Sequence, residues 1–141
     1  TTADQIAAGL AGVLEIEDPE AKEGLPEWFA TMRPFVFLAQ KIGSSYHVNG
    51  VSAAQANIAM QKNEWVRLRI VHSADAKITE FGLPSACEAQ LLAKDGVVLS
   101  SIPRAVESLF VGTMVSRAEV AVRCTSAGNF VIGTVGGAAS S

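Results

Sequence analysis

Histidine and cysteine are scarce in this chain, with two of each in 141 residues. That scarcity limits the chemistry. His47 and His72 have no second histidine two, three or four residues away, and no cysteine stands near either in sequence. A mononuclear copper site of the electron-transfer type needs His, Cys and His, usually with an axial Met. After Cys124 the chain runs TSAGNFVIG, and after Cys87 it runs EAQLLAKDG, with no histidine in either stretch. Ligand count therefore sets aside a stand-alone blue-copper carrier. No Gly-x-Ser-x-Gly element is present, and no Cys–His pair argues for a thiol nucleophile. Only 18% of residues are charged, the net charge is −3, and there is no basic patch, which argues against nucleic acid as a partner. The longest apolar stretch near the start, Ile6 to Leu14, is too short and too rich in Gly and Ala to span a membrane. The chain opens on Thr1 and its first basic residue is Lys22, so no secretory signal pattern is visible. A segment of a longer or processed product is expected.

What is present favours one domain of ordinary size. A chain of this length buries roughly two-thirds of the surface its unfolded form exposes, so stability needs no metal or dense disulfide framework. The low charge, beside a hydrophobic fraction of 49%, predicts that other protein covers part of the surface.

The most informative stretch runs from Glu64 to Gly96. In Trp65 to His72, Val66, Leu68, Ile70 and His72 share one face, and Trp65, Arg67, Arg69 and Val71 share the other. That is the period of a half-buried strand, in residues that favour strands. Short strands are also expected at Val13–Glu17, Phe35–Gln40, Ala56–Met60, Ile78–Phe81, Ala89–Ala93, Val97–Leu99, Val106–Val111, Arg117–Thr125 and Phe130–Val135. In Arg117–Thr125, Ala118, Val120, Val122 and Cys124 are expected inward, with Glu119, Ala121 and Arg123 outward. Asn49-Gly50 and Asp95-Gly96 are turn signals. Thr2 and Gln5 are placed for a capping box that opens a short helix. Leu25, Trp28, Phe29 and Met32 have helical spacing after Pro26, which predicts a short helix capping a sheet. Many short strands without a long helix read as an antiparallel sandwich or barrel.

The reactive side chains have plain expectations. His72, on an inward face, is expected to be a core histidine bonded to backbone. His47, beside a turn, is expected at the surface. Glu15, Glu17, Asp18 and Glu20 read as a solvated acidic face, and Arg67 and Arg69 as solvated outward charges. Asp95 reads as a turn residue, not a catalytic acid. Cys87 and Cys124 are either two buried thiols or a disulfide.

Four blocks then occur in order: His47-Val48-Asn49-Gly50, Glu64 to His72, Cys87 to Gly96, and Ser116 to Cys124. Together they resemble the middle cupredoxin-like domain of the laccase-like multicopper oxidases. Gln5, Gly9, Gly12 and Val13 to Asp18 resemble the tail of that family's first domain. The resemblance departs from the family at Met114-Val115, where Pro-Gly is usual, and at Asn63, where Gly is usual. It implies an all-β, cupredoxin-like antiparallel Greek-key β-sandwich or barrel with one short helix in the linker. The implied boundaries are residues 1–18 for the preceding domain's tail, 19–33 for a linker, and 34–141 for a second, copper-free domain. It implies a parent enzyme that oxidises a phenolic or metal-ion substrate one electron at a time and reduces dioxygen to water. The copper would sit in the flanking cupredoxin domains, and no catalytic or metal residue carries over to this chain. It favours a Cys87–Cys124 bridge, worth roughly 3–4 kcal/mol in the chain-entropy model, and a secreted or periplasmic location. The alternative is a non-catalytic β-sandwich used for scaffolding or adhesion.

Overall fold

The computed structural model describes residues 2–16, 27–74, 78–100 and 104–135. Among them are ten strands, two short α-helices and a 3-10 helix at Ala53–Gln55. The α-helices are α1 (Ala3–Ala7) and α2 (Glu27–Thr31). The strands are β1 (Arg33–Ile42), β2 (Ser45–Val48), β3 (Val51–Ser52), β4 (Val66–Ser73) and β5 (Thr79–Gly82), then β6 (Cys87–Lys94), β7 (Val97–Val98), β8 (Arg104–Val106), β9 (Ser108–Gly112) and β10 (Arg117–Cys124).

The strands form two sheets. The large one has the order β3-β2-β1-β4-β10-β6-β7, with β8 also paired to β6, and the small one is β5-β9. The all-β sandwich is as the sequence implies, with one departure from pure antiparallel pairing. β1 and β4 run parallel, from Arg33 opposite Val66 to Gln40 opposite Ser73. A parallel pair needs a long crossover, and residues 43–65 supply it.

β4 anchors the packing because its period of two is fully used. Val66, Leu68, Ile70 and His72 are all buried. They join Ala118, Val120 and Val122 of β10, Ala89 of β6, and Leu109 and Phe110 of β9 in the core between the sheets. The large sheet's other face is covered as well. Phe29 and Met32, from α2 and the residue after it, pack with Leu92, Ala121 and Trp65. The expected outward position of Ala121 is thus corrected: it is 0% exposed, because α2 lies over that face. The helix is where the apolar spacing predicts it, while Leu25 and Pro26 lie outside the described residues.

Other expectations need adjusting. Val106–Val111 is two strands, because the chain leaves the large sheet after β8 and enters the small one at Ser108, a corner by which strands change sheets. Residues 56–60 form no strand, although Ile58 and Met60 still pack on the core. Residues 13–16 pair with no strand, and Glu17 lies outside the described residues. Phe130–Val135 forms only a bridge, in which Gly82 N–H donates to the Gly133 carbonyl and Val135 N–H to that of Glu80. The frayed end expected from Gly136 to Ser141 also lies outside the described residues.

Turn chemistry follows the sequence closely. Asn49 and Gly50 both have positive φ, 52° and 81°, between β2 and β3. Asp95 and Gly96 repeat this at 49° and 86° between β6 and β7. Two positive φ values in a two-residue loop make a type I′ hairpin turn. Asn63 also takes a positive φ, 65°, at the entry to β4. The Thr2–Gln5 capping box is formed in both directions.

The turn from Thr113 to Ser116 is less comfortable. Ser116 N–H reaches the Thr113 carbonyl at 3.3 Å, and Val115, third in the turn, has φ 56°. A positive φ at the third position alone is a type II turn, which favours Pro-Gly at its centre. Met114-Val115 is the departure already noted in the sequence. A β-branched residue in the left-handed region costs about 1–2 kcal/mol. Val115→Gly is therefore expected to raise the thermal midpoint, with a net gain of about 1 kcal/mol after glycine's extra chain entropy. A lower midpoint would mean that the turn carries no strain.

Candidate functional site

Chemistry-bearing side chains gather in four main places among the described residues. The first is His72, fully buried on β4. Its Nδ1 lies 3.0 Å from the Thr113 carbonyl, so Nδ1 carries the proton and donates. Its backbone N–H donates to the Ser116 carbonyl. The residue thus ties the Thr113–Ser116 turn to the central strand, the backbone-bonded core role expected for it. Its Nε2 has no partner among the described residues. Phe110, Phe81 and Tyr46 surround the ring, with centroids 5.5, 6.1 and 6.4 Å away. His47 corrects the surface expectation. It is half-buried on β2, and its Nδ1 is shielded without a partner among the described residues. In register His47 faces Gln40 of β1, and His72 faces Ala39. Ala39 and Gln40 are successive residues of β1, so the two imidazoles lie on opposite faces of the sheet and do not converge.

The second place is the end of the β6–β10 pair. Cys87 and Cys124 are cross-strand partners joined by a disulfide, with Cα atoms 4.0 Å apart. Among the described residues no free thiol remains.

The third is the outer face of the large sheet. Arg67 and Arg69 are not the solvated charges expected from their outward positions. Both converge on Glu119 of β10: Arg67 Nε lies 3.0 Å from Oε1 as an ion pair without hydrogen-bond geometry, and Arg69 Nε donates to it at 3.4 Å. Arg69 also pairs with Glu15, so that carboxylate is not a free acidic face either. Glu17, Asp18 and Glu20 lie outside the described residues. The Arg67 side chain is only 12% exposed, and its guanidinium stacks 4.9 Å from the Phe29 ring centroid. Arg123 repeats the device, pairing with Glu88 and lying 4.7 Å from the Trp65 ring centroid. The strand alternation places Arg67, Arg69, Glu119 and Arg123 on outward faces. It does not give their pairing, because alternation does not say which strands are neighbours. Asp95 serves its turn, accepting from Arg117 N–H at 2.7 Å.

A smaller ionic clasp holds the entry to β1. Arg33 meets Glu64 in a forked contact of 2.6 and 2.9 Å, and also donates to the Ala59 carbonyl. The hydrogen bonds from Arg33 and from Gln61 N–H hold the Glu64 carboxyl below its usual pKa, aided by the arginine's charge. Among the described residues, no group of three or more His, Cys, Asp or Glu side chains could hold a metal ion.

No protein-family model matches the sequence, and no curated protein matches it. Solved structures do. One is a blue copper oxidase from Nitrosomonas europaea, with TM-score 0.63 and 16% identity over 75% of this chain. The fold is a cupredoxin-like β-sandwich. The multicopper oxidase mgLAC has the same fold at TM-score 0.60 and 15% identity over 74% of this chain. A laccase-like multicopper oxidase from the lignin-degrading bacterium Ochrobactrum sp. has it at TM-score 0.57 and 22% identity over 77%. This cupredoxin-like chain spans 38%, 38% and 28% of those three chains respectively, well under half of each. No helix among the described residues is long and apolar enough to cross a membrane.

Two outcomes are expected from this geometry. Because the folded Glu64 pKa is depressed, the clasp's stabilisation is present above the unfolded pKa of about 4.3 and is lost as pH falls through the folded value. Glu64→Gln should lower the denaturation midpoint at pH 7, and the gap to the parent should close in acid. A gap independent of pH would exclude the ionic clasp. Cys87→Ser combined with Cys124→Ser should cost roughly 3–4 kcal/mol in denaturant unfolding, since the bridge closes a separation of 37 residues.

Proposed function

We propose that this chain is the copper-free middle domain, with the tail of the domain before it, of a laccase-like multicopper oxidase. One observation carries the proposal. Three-quarters of the chain superposes on multicopper oxidases while spanning only a minor part of each. In such an enzyme the flanking cupredoxin domains hold the copper. Copper there takes electrons singly from a phenolic or metal-ion substrate and passes them to dioxygen, giving water.

The donors in this chain do not fit a copper ion. The two cysteines are bonded to each other and offer no thiolate. His72 Nδ1 is committed to a carbonyl, and aromatic rings surround the rest of the imidazole. His47 lies on the opposite face of the sheet from it. The chain's own contribution is mechanical: a sheet buried on both faces that keeps its neighbours at fixed separation.

Residues 1–18 are assigned to the preceding domain's tail, 19–33 to a linker, and 34–141 to the middle domain. Leu10, Val13, Leu14 and Ile16 are exposed, the last two at 87% and 84%, which suits a segment whose apolar side packs on another domain. The disulfide supports a secreted or periplasmic location, since such bonds persist in oxidising compartments.

The test is metal analysis of the purified chain after incubation with Cu(II) and removal of loosely held ion. Neither stoichiometric copper nor oxygen uptake with a phenolic substrate is expected. One equivalent of tightly held copper with an intense blue colour would overturn the assignment.

A further inference from the structure

A cleft of about 210 Å³ opens on the small-sheet side of the sandwich. Leu91, Val106, Leu109, Phe110 and Ala118 form its apolar walls, and Lys94 is the one charged side chain in the lining. The cleft has a structural cause. The chain passes from β8 in the large sheet to β9 in the small sheet at Glu107, so the two layers part there.

Lys94 reaches the cleft because of an irregularity in β6. Glu119 of β10 faces Ala93, but the next residue, Val120, faces Leu91, which leaves Leu92 as an extra residue in β6. In a regular strand, residues three apart point to opposite faces. A bulge resets the alternation and re-aims the side chains beyond it. Leu91 and Lys94 therefore both line the cleft, while Leu92 turns to the outer cluster.

The ammonium is weakly engaged. Its hydrogen bond among the described residues is a long one, 3.4 Å, to the Val111 carbonyl. None of the ion pairs among the described residues includes it. The other polar group in the lining, Ser108 Oγ, already donates to the Glu80 carboxylate.

We propose that this cleft binds a small aromatic monocarboxylate, with its ring against Leu91, Val106 and Val111 and its carboxylate at Lys94 Nζ. Half-buried Leu91 and Val106 and exposed Val111 offer apolar area to a ring, while Leu109 and Phe110 are buried beneath them. A single cation calls for a single negative charge, and the nearby Glu80 carboxylate disfavours a second. The proposal goes beyond the oxidase assignment and does not depend on it.

Benzoate is the probe, titrated into the full chain and followed by NMR shifts of Leu91, Lys94, Phe110 and Ala118. Saturable binding in the millimolar range is expected, with Kd about 1 mM. Benzyl alcohol, which has the ring without the charge, and acetate, which has the charge without the ring, should each bind at least about fivefold more weakly, the scale of one exposed charge contact. Lys94→Gln should weaken benzoate by a similar factor and leave the thermal midpoint unchanged. Val111→Phe, at the rim, should obstruct entry. Three results would each overturn the proposal: no saturation with benzoate, equal binding of benzyl alcohol, or equal benzoate affinity in Lys94→Gln. None of them would bear on whether the chain binds copper.

Discussion

Burial of both faces of the β4–β10 pair is the constraint on which the rest of this structure depends. A sheet hydrophobic on one face needs one covering layer. Here Val66, Leu68, Ile70, Val120 and Val122 need cover on one side, and Ala121 and Leu92 on the other. Burying a Val or Leu side chain fully is worth about 1.5–3 kcal/mol relative to exposure. The inner layer is the small sheet, reached because the chain crosses over at Glu107. The outer layer is α2, brought there by Phe29 and Met32. A layered sandwich is the ordinary solution to that demand.

The outer face poses a second problem, since the same strands place arginines there. Arg67 and Arg69 lie in a partly covered layer, where an unpaired charge is costly. Glu119 serves both, Glu15 adds a second carboxylate, and Phe29 offers its ring face to the Arg67 guanidinium. The pairing also reaches across the molecule. It joins the first residues to the central strands, as does the hydrogen bond from Gln40 Nε2 to the Gly9 carbonyl, although those residues share no ladder with the sheet.

Much of the fold was legible because it rests on local rules. β4 and β10 show their period of two in the sequence, and the Asn-Gly and Asp-Gly pairs specify hairpin turns. The apolar island around Trp28 announced a helix against a sheet. What escaped was set by tertiary pairing. The buried position of Ala121 depends on a helix more than eighty residues earlier in the sequence. The split of Val106–Val111 depends on which sheet each half finds. The apolar alternation near Ile58 and Met60 is real, but no neighbouring strand is in place to make it a ladder. The bulge at Leu92 left no sequence signal, because Leu91 and Leu92 are alike and only the register with β10 tells them apart. In the candidate sites, the carbonyl bond of His72 followed from its inward position. The half-buried His47 and the shared carboxylate of Glu119 did not, since both depend on neighbouring strands.

The functional account follows from position more than from reactive groups. A cupredoxin-like fold with committed cysteines and separated histidines is suited to spacing, and the exposed apolar residues from Leu10 to Ile16 are suited to contact with another domain. The most direct measurement is the coding sequence on either side of this segment. The account predicts a His-x-His element just upstream, and a His-x-x-His-x-His element with a Cys-centred motif downstream. A continuous reading frame that lacks both would contradict it.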